Sequence, residues 1–202
     1  MKKVLLMAAA LLMAPLAASA VEYQEGVHYT VINDGPATAK PEITEFFSFY
    51  CPHCFTFSKT VVPKILTDKP EGVAFNQAHV DFIGKEMGVE MSRAFAVAHQ
   101  LNVDEKMDAA LFSAIHEKKQ HFTNRDDVRA VFIANGVDGK TFDAAAESFM
   151  VKAQMAKMKR DTENAKLTGV PALVVNGKYR VETGAIKSYD ELLEIAFYLA
   201  KK

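Results

Sequence analysis

The sequence predicts an α/β fold in which an all-helical segment interrupts a unit of strands and helices. Around residues 43–80, a β-branched and aromatic run, an apolar-periodic helix and a second such run follow one another, which makes a βαβ unit. From residue 84 to 167 the hydrophobic period is helical, and after Gly169 two short strands and a last helix complete the chain. Because residues 84–167 are too many for a surface loop, we expect them to pack as a subdomain of their own.

The strand predictions rest on apolar–polar alternation and on runs of β-branched and aromatic residues. The Asn176-Gly177 pair separates the last two strands and is typical of a type I′ hairpin turn. The predicted strands are residues 27–32, 43–50, 73–80, 172–175 and 179–181.

The helix predictions rest on apolar residues that recur at helical spacing and on capping signals. Pro52 lies at the first position of the helix after the second strand, where proline is tolerated, whereas Pro63 lies inside that helix and should kink it. In residues 84–167 we expect four or more helices, the fourth capped by Thr141 and continuing towards residue 167. The Ser188-x-x-Glu191 pattern predicts a capping box that opens the last helix.

The first 20 residues have the form of a secretory signal peptide. Lys2 and Lys3 precede an apolar run over residues 4–14, and Ala18-Ser19-Ala20 provides a small-residue cleavage site. The alternative is a buried N-terminal helix. Cleavage would leave 182 of the 202 residues and change the net charge from −1 to −3. No later apolar run approaches the ~20 residues of a membrane helix, so we expect an exported, soluble protein. The short Lys-Lys region and the compact apolar run look bacterial, which suggests the periplasm, an oxidising compartment.

Composition and charge exclude several classes of function. The near-neutral balance of 24 basic and 25 acidic residues argues against nucleic acid as the main partner. Two cysteines are too few for a four-thiolate zinc site or a multi-bridge disulfide scaffold. We therefore expect neither a metal nor a cofactor.

The two cysteines stand three residues apart in Cys51-Pro52-His53-Cys54, where a strand passes into a helix. The N–H groups and dipole of a helix N-terminus favour an anion, so Cys51 should be the exposed nucleophile. The spacing brings Cys54 within disulfide distance as a buried resolving thiol. The alternatives are an inert structural disulfide, which would constrain little in so short a loop, and half of a zinc site, for which His79 stands alone as a further ligand.

His53 lies between the two sulfurs, where its imidazole would stabilise the Cys51 thiolate. Stabilising the thiolate stabilises the reduced form and makes the disulfide a stronger oxidant, by about 30 mV for each unit of lowered thiol pKa. The alternative is that His53 is only a solvent-exposed helix residue.

Two further positions carry open alternatives. Pro171 begins a strand, and a cis Val170–Pro171 bond would offer free backbone to an extended polypeptide, although the trans form is far more common in general. Glu45 interrupts an apolar strand. Its carboxylate is either turned to solvent or buried with a raised pKa beneath the cysteines, where it could relay protons to Cys54.

Three segments of the chain resemble the DsbA family of thiol:disulfide interchange proteins. They are Glu45-Phe-Phe-Ser-Phe-Tyr-Cys-Pro-His-Cys54, His79-Val80-x-Phe82-x-Gly84 and Thr168-Gly-Val-Pro-Ala172, and the resemblance extends over essentially the whole mature chain. It implies a thioredoxin fold with an inserted all-helical subdomain. Residues 21–83 and 168–202 would form the thioredoxin-like domain, and residues 84–167 the insertion.

The resemblance also implies a function and a set of site residues. The protein would donate a Cys51–Cys54 disulfide to newly exported, unfolded proteins and be re-oxidised by a quinone-linked inner-membrane protein of the DsbB type. Cys51 would attack and be attacked and Cys54 would resolve, with Pro52 and His53 completing the catalytic motif. Val170 and Pro171, joined by a cis peptide bond, would bind the substrate, and Glu45 would be a buried acid under the active site.

Two positions depart from the family pattern as we expect it. Gln77 stands where a lysine would partner the buried acid, and Ser58 stands where some members carry an acidic residue. We expect a monomer. The competing functions are a disulfide isomerase or reductase, and a non-catalytic binding or chaperone module of the periplasm.

Overall fold

The computed structural model describes residues 22–202, so the predicted signal peptide at residues 1–20 lies outside the described residues. Over the described range, none of the helices is both long and apolar enough to span a bilayer. In chain order the elements are β1 (Tyr29–Val31), β2 (Glu42–Phe47), α1 (Pro52–Thr60), α2 (Val62–Asp68), β3 (Ala74–His79), α3 (Glu86–Gln100), α4 (Asp104–His116), α5 (Arg125–Ala134), α6 (Gly139–Glu147), α7 (Phe149–Asn164), β4 (Ala172–Val175), β5 (Tyr179–Val181) and α8 (Tyr189–Ala200).

The strands form one mixed sheet in the order β1-β5-β4-β2-β3. β2 and β3 are parallel because α1 and α2 carry the chain back between them, and the other neighbours pair antiparallel. Five helices, α3 to α7, lie between β3 and β4 along the chain. The predicted α/β fold, a thioredoxin fold with helices inserted, is confirmed.

The predicted strands differ from the observed ones mainly at their ends. β4 and β5 begin and end as predicted. β2 ends at Phe47 rather than at residue 50, because the Ser48 carbonyl accepts from Cys51 N at 3.0 Å and closes a turn. Residues 27 and 28 are not part of β1, since both of their amides donate to the Gln24 carbonyl in a turn.

The Asn176-Gly177 turn has the predicted geometry. Both residues have positive φ, 54° and 61°, and Lys178 N donates to the Val175 carbonyl at 3.0 Å. Glycine adopts positive φ freely and asparagine tolerates it, so this pair suits a type I′ turn. The Asn176 side chain also joins the hairpin to the rest of the fold by accepting from Glu42 N at 3.0 Å.

The helix at Pro63 is broken rather than kinked. Val61 N donates to Phe57 O and ends α1, and α2 starts at the next residue with Pro63 in its first turn. Proline has no N–H to continue the ladder of the preceding helix, so the chain restarts instead. Half of the predicted capping box at α8 forms: Ser188 Oγ accepts from Glu191 N at 3.1 Å, but the Glu191 carboxylate accepts from Lys187 N at 2.6 Å instead of from Ser188 N.

The expected fourth helix of the inserted segment was wrong in two respects. It is two helices, because Ser148 is extended (φ −65°, ψ 152°) and its Oγ accepts from Val151 N to start α7. The cap of α6 is Asp138, not Thr141. The Asp138 carboxylate accepts from Thr141 N at 3.0 Å, so Thr141 is the capped residue of the first turn.

The inserted helices attach to the sheet through aromatic side chains. The ring of Phe112 on α4 lies 5.0 Å from that of Phe49, 5.8 Å from that of Phe47 and 5.7 Å from that of Phe55 on α1. Each fully buried side chain of this size contributes about 1.5–3 kcal/mol of apolar burial. These contacts fix α4 against the end of β2 and against α1, the helix at whose N-terminus the two cysteines lie.

Candidate active site

Two histidines fix the turn that leads from β2 into Cys51. Phe49 N donates to Nε2 of His79 at 3.0 Å, and Phe49 O accepts from Nε2 of His116 at 2.7 Å. Because His79 Nε2 accepts, its Nδ1 carries the proton and donates to Ser92 Oγ at 2.8 Å. Burial lowers the pKa of His79 to about 3, which keeps the ring neutral. One ring nitrogen of His79 thus holds the turn, and the other anchors the ring to Ser92 on α3.

Cys51 is the N-cap residue of α1, and its sulfur lies against the start of the helix. Cys54 N donates to Cys51 Sγ at 3.2 Å. The prediction that Cys51 is exposed was wrong: the residue is only 7% exposed, because the loop before β4 lies against its sulfur, with the Val170 carbonyl oxygen 3.3 Å away. The pKa of Cys51 falls from 9.0 to about 6. The largest cause is a hydrogen bond from the Cys54 thiol, followed by the backbone N–H groups of Cys54 and His53, while the charge of His53 contributes less and burial opposes the shift.

Cys54 has the opposite character. Its side chain is fully buried, and its pKa is raised, first because its thiol donates to Cys51 and then because burial disfavours the charged form. Both cysteines are free thiols in the structure. One sulfur of the pair therefore favours the thiolate and the other retains its proton.

The surface around Cys51 is formed by the Pro52–His53 dipeptide and by the loop before β4. Pro52 and His53 are exposed on the first turn of α1. Val170–Pro171 is a cis peptide bond, and the Val170 carbonyl oxygen lies 3.3 Å from Cys51 Sγ, from which it accepts.

A groove of about 730 Å³ begins at this loop and continues across the surface. Its lining is mainly apolar, with Lys166, Arg180 and Glu182 as charged exceptions. The apolar lining residues include Phe57, Leu167, Val170, Pro171, Ile186 and Leu192.

Glu45 is buried, which decides between its two predicted environments. Only 1% of the residue is exposed, and Gln77 Nε2 on β3 donates to its carboxylate at 2.8 Å. The pKa of Glu45 is raised to about 8, mainly by burial and to a smaller extent by the charges of Asp108 and Cys51, against the hydrogen bond from Gln77, which lowers it. The acid is therefore largely protonated near neutral pH. Ser58, at the second departure from the family pattern, donates to the Phe55 carbonyl.

Sequence reasoning missed two residues near this site. His116 holds the Phe49 carbonyl and stacks on Phe55 with ring centroids 4.9 Å apart. Asp108 Oδ1 is buried and has no hydrogen-bond partner among residues 22–202, and burial raises the pKa of this carboxyl to about 8. The available signal was that Asp108 lies one helical turn before Phe112, so it interrupts an apolar helix face as Glu45 interrupts an apolar strand.

Comparisons with known proteins by sequence and by fold point to the same family. The family model described as "DSBA-like thioredoxin domain" matches residues 42–194. The thiol:disulfide interchange protein DsbA of Escherichia coli K12 is 39% identical over 183 residues, covering 90% of this chain and 86% of its own. DsbA of Pectobacterium carotovorum is 37% identical over 196 residues, covering 92% of each chain.

Among solved structures, the disulfide oxidoreductase DsbA from Proteus mirabilis superimposes with a TM-score of 0.79 at 35% identity, covering 90% of this chain and 98% of that one. A second structure of Proteus DsbA, a variant with a non-covalently bound peptide PWATCDS, has the same TM-score and identity over 90% of this chain and 100% of that one.

Proposed function

Given that this chain belongs to the DSBA-like thioredoxin family and is a thiol:disulfide oxidoreductase, we propose that Cys51 and Cys54 form the disulfide it donates to unfolded exported proteins. The observation that carries the proposal is the asymmetry of the pair, in which the pKa of Cys51 is lowered and that of Cys54 is raised. A disulfide whose more accessible sulfur is a stable thiolate after reduction is a good electron acceptor.

The reaction proceeds in two exchanges. A substrate thiolate attacks Cys51 Sγ, the Cys51–Cys54 bond breaks, and Cys54 leaves as a thiolate that takes up a proton. A second substrate thiolate then attacks the substrate sulfur of the mixed disulfide, and Cys51 leaves as its stabilised thiolate. Two electrons pass from the substrate dithiol to the protein, and the substrate gains one disulfide.

Glu45 is the proton donor to Cys54 in this scheme. It is buried, largely protonated near neutral pH, and close enough that its charge raises the pKa of Cys54. Gln77 holds the carboxyl by a neutral hydrogen bond at 2.8 Å in place of the ion pair that a lysine would make. His53 and the helix N-terminus stabilise the Cys51 thiolate, and Pro52 starts the helix that supplies those N–H groups.

Substrate polypeptide lies along the groove beside the cis peptide bond, with its backbone against Val170 and Pro171. The mainly apolar lining suits an unfolded chain, which exposes apolar side chains and free backbone groups. The Proteus relative solved with the non-covalently bound peptide PWATCDS supports a peptide segment as the type of ligand.

The setting of the reaction is also proposed from the relatives and the sequence. The protein works in the periplasm after removal of residues 1–20, as a monomer, and is re-oxidised by a DsbB-type inner-membrane protein. Residues 21–83 and 168–202 form the thioredoxin-like domain, and residues 84–167 form the inserted helical domain.

Single-cysteine variants test the assignment of the two thiols. Cys54→Ser should accumulate a mixed disulfide between Cys51 and a reduced, unfolded substrate protein, because the resolving thiol is gone. Cys51→Ser is the matched control and should trap none. Trapping by Cys51→Ser but not by Cys54→Ser would reverse the assignment.

The direction of electron flow is tested by the redox equilibrium of the Cys51–Cys54 pair with glutathione. We expect the dithiol form to persist at glutathione ratios that oxidise ordinary structural cysteine pairs. A strongly reducing pair would favour a reductase and refute the oxidase proposal.

A further inference from the structure

The five inserted helices reach the turn of residues 48–51 through one polar side chain, that of His116 on α4. Its Nε2 donates to the Phe49 carbonyl at 2.7 Å, and in the described part of the chain this is the only hydrogen bond between those helices and the turn. The imidazole also stacks on Phe55 of α1, with the ring centroids 4.9 Å apart and the planes inclined by 13°. His116 therefore contacts both the turn and the helix that follows it.

Phe49 depends on such a contact because its backbone lies outside the sheet. β2 ends at Phe47, and Phe49 is 0% exposed, so neither a neighbouring strand nor water satisfies its peptide groups. Its N–H donates to His79, and its carbonyl accepts from His116. A buried carbonyl that loses its partner is strongly disfavoured, so removal of the His116 donor should make the turn rearrange.

The position of the Cys51 sulfur depends on this turn. Cys51 lies two residues after Phe49, and its N–H closes the turn by donating to the Ser48 carbonyl at 3.0 Å. As the N-cap of α1, Cys51 has extended backbone angles (φ −88°, ψ 116°), which let Cys54 N donate to its Sγ at 3.2 Å. Capping contacts of this kind require those angles. A rotation of the peptide after Phe49 would therefore move the sulfur away from the helix N-terminus.

We propose that His116 is a positioning residue of the redox site. By holding the Phe49 carbonyl, it keeps the Cys51 sulfur against the N–H groups that stabilise the thiolate. The inserted helices thereby act on the chemistry of the cysteine pair through a single hydrogen bond, and His116 neither gives nor takes a proton during the exchange. The inference rests on the proposed function only in taking Cys51 as the sulfur that substrates attack.

A second polar contact between α4 and α1 lies at the surface and does not reach the turn. Lys59 Nζ is 2.6 Å from Glu117 Oε1, and the two side chains are 55% and 50% exposed. An ion pair this exposed contributes little. Glu117→Gln is therefore a matched control, because it removes a contact between the same two helices beside His116 and leaves the donor to the Phe49 carbonyl in place.

Two substitutions of His116 separate its hydrogen bond from the packing of its ring. His116→Phe keeps a ring that can stack on Phe55 but has no donor. His116→Gln loses the ring but places an amide Nε2 as many bonds from Cα as the imidazole Nε2. Thiolate absorbance of the reduced protein against pH reports the pKa of Cys51, since the raised pKa of Cys54 keeps the second thiol out of this range.

We expect His116→Phe to raise the pKa of Cys51 by about one unit, because the sulfur loses part of its hydrogen bonding to the helix N-terminus. His116→Gln and Glu117→Gln should stay within about 0.3 units of the wild type. Destabilising the thiolate destabilises the reduced form, so the equilibrium of His116→Phe with glutathione should shift about tenfold towards the disulfide. His116→Gln should keep the wild-type equilibrium, and because glutamine is uncharged, this rescue excludes an effect of imidazole charge.

A role in packing alone predicts the opposite order, with His116→Phe close to the wild type and His116→Gln changed. That order overturns the proposal, as do equal shifts in the two variants or an unmoved Cys51 pKa in both. A shift in Glu117→Gln as large as that in His116→Phe would also overturn it.

His116→Asn covers the case in which His116→Phe does not fold. The amide of asparagine is one bond shorter than that of glutamine and falls short of the carbonyl, so the same rise in the pKa of Cys51 is expected and its absence refutes the proposal. Neither measurement uses a polypeptide substrate. A wild-type protein whose variants show these shifts, but which does not oxidise reduced, unfolded polypeptides, would refute the proposed function and leave the role of His116 established.

Discussion

Replacing Glu45 by glutamine should stabilise the protein in a strongly pH-dependent way. Glutamine keeps the shape of the side chain and an oxygen that can accept from Gln77, but it cannot ionise. The folded pKa of Glu45 is about 8 against an ordinary value of 4.5. Below about pH 4.5 the acid is protonated in both the folded and the unfolded protein and does not lower the free energy of unfolding. Between about pH 4.5 and 8 the unfolded chain ionises freely while the folded protein keeps Glu45 protonated, so the free energy of unfolding falls as the pH rises.

The difference between the two pKa values sets the magnitude. At 1.36 kcal/mol per unit, the penalty reaches about 3 kcal/mol at pH 7 and about 5 kcal/mol above pH 8. Glu45→Gln should thus raise the free energy of unfolding by up to these amounts and change it little at pH 4. The assay is equilibrium unfolding in guanidinium chloride of the reduced proteins across this pH range.

Glu42→Gln on the same strand is a suitable control, because Glu42 is partly exposed and its carboxylate accepts from Asn76 at the surface. This control should shift stability by less than about 0.5 kcal/mol at every pH. Stability curves of Glu45→Gln and the wild type that remain parallel from pH 4 to 9 would show that burial does not hold this acid neutral.

Three further predictions concern the thiolate and the packing around it. His53→Ala should raise the pKa of Cys51 but leave it below 9.0, because the backbone N–H groups and the Cys54 thiol still donate to Cys51 Sγ. The pKa is measured from the ultraviolet absorbance of the thiolate against pH, and a value of 9.0 would contradict the contribution of those donors. Phe112→Ala should cost about 3–5 kcal/mol in denaturant unfolding, since it opens a cavity between α4 and β2, and a loss below 1 kcal/mol would contradict the aromatic attachment. Gly88→Ala should lower the thermal midpoint, because its Cβ would lie 2.3 Å from the Ile83 carbonyl oxygen and 2.4 Å from that of Asp81, whereas an unchanged midpoint would show that this loop yields easily.

The parts of the fold that the sequence predicted well are those set by local chemistry. The Asn176-Gly177 pair determines its turn through positive φ at both residues, and Ser188 caps the helix that follows it. Strand and helix ends elsewhere depended on competition between neighbours. Asp138 caps the first turn of α6, and Ser148 caps the start of a new helix, α7. Apolar periodicity alone does not predict such caps.

The site was predictable where the motif itself carries the chemistry and less so where distant elements complete it. Cys51 lies at the helix N-terminus as its position after a strand indicated. The environment of Glu45 depended on Gln77 from β3 and on the charge of Asp108, which lies some sixty residues further along the chain on α4. The surroundings of His116 and Asp108 are formed by the packing of α4 on the residues at the end of β2. Local sequence patterns do not predict this tertiary contact.

The unequal burial and acidity of the two sulfurs also bear on damage by peroxides. A thiolate such as Cys51 is the form that peroxides oxidise to sulfenic acid. Cys54, whose backbone N–H already contacts Cys51 Sγ at 3.2 Å, is placed to condense with that sulfenic acid and release water. The product is the Cys51–Cys54 disulfide. Oxidation of Cys51 by a peroxide therefore yields the disulfide form that oxidises substrates and not an irreversible sulfinic acid.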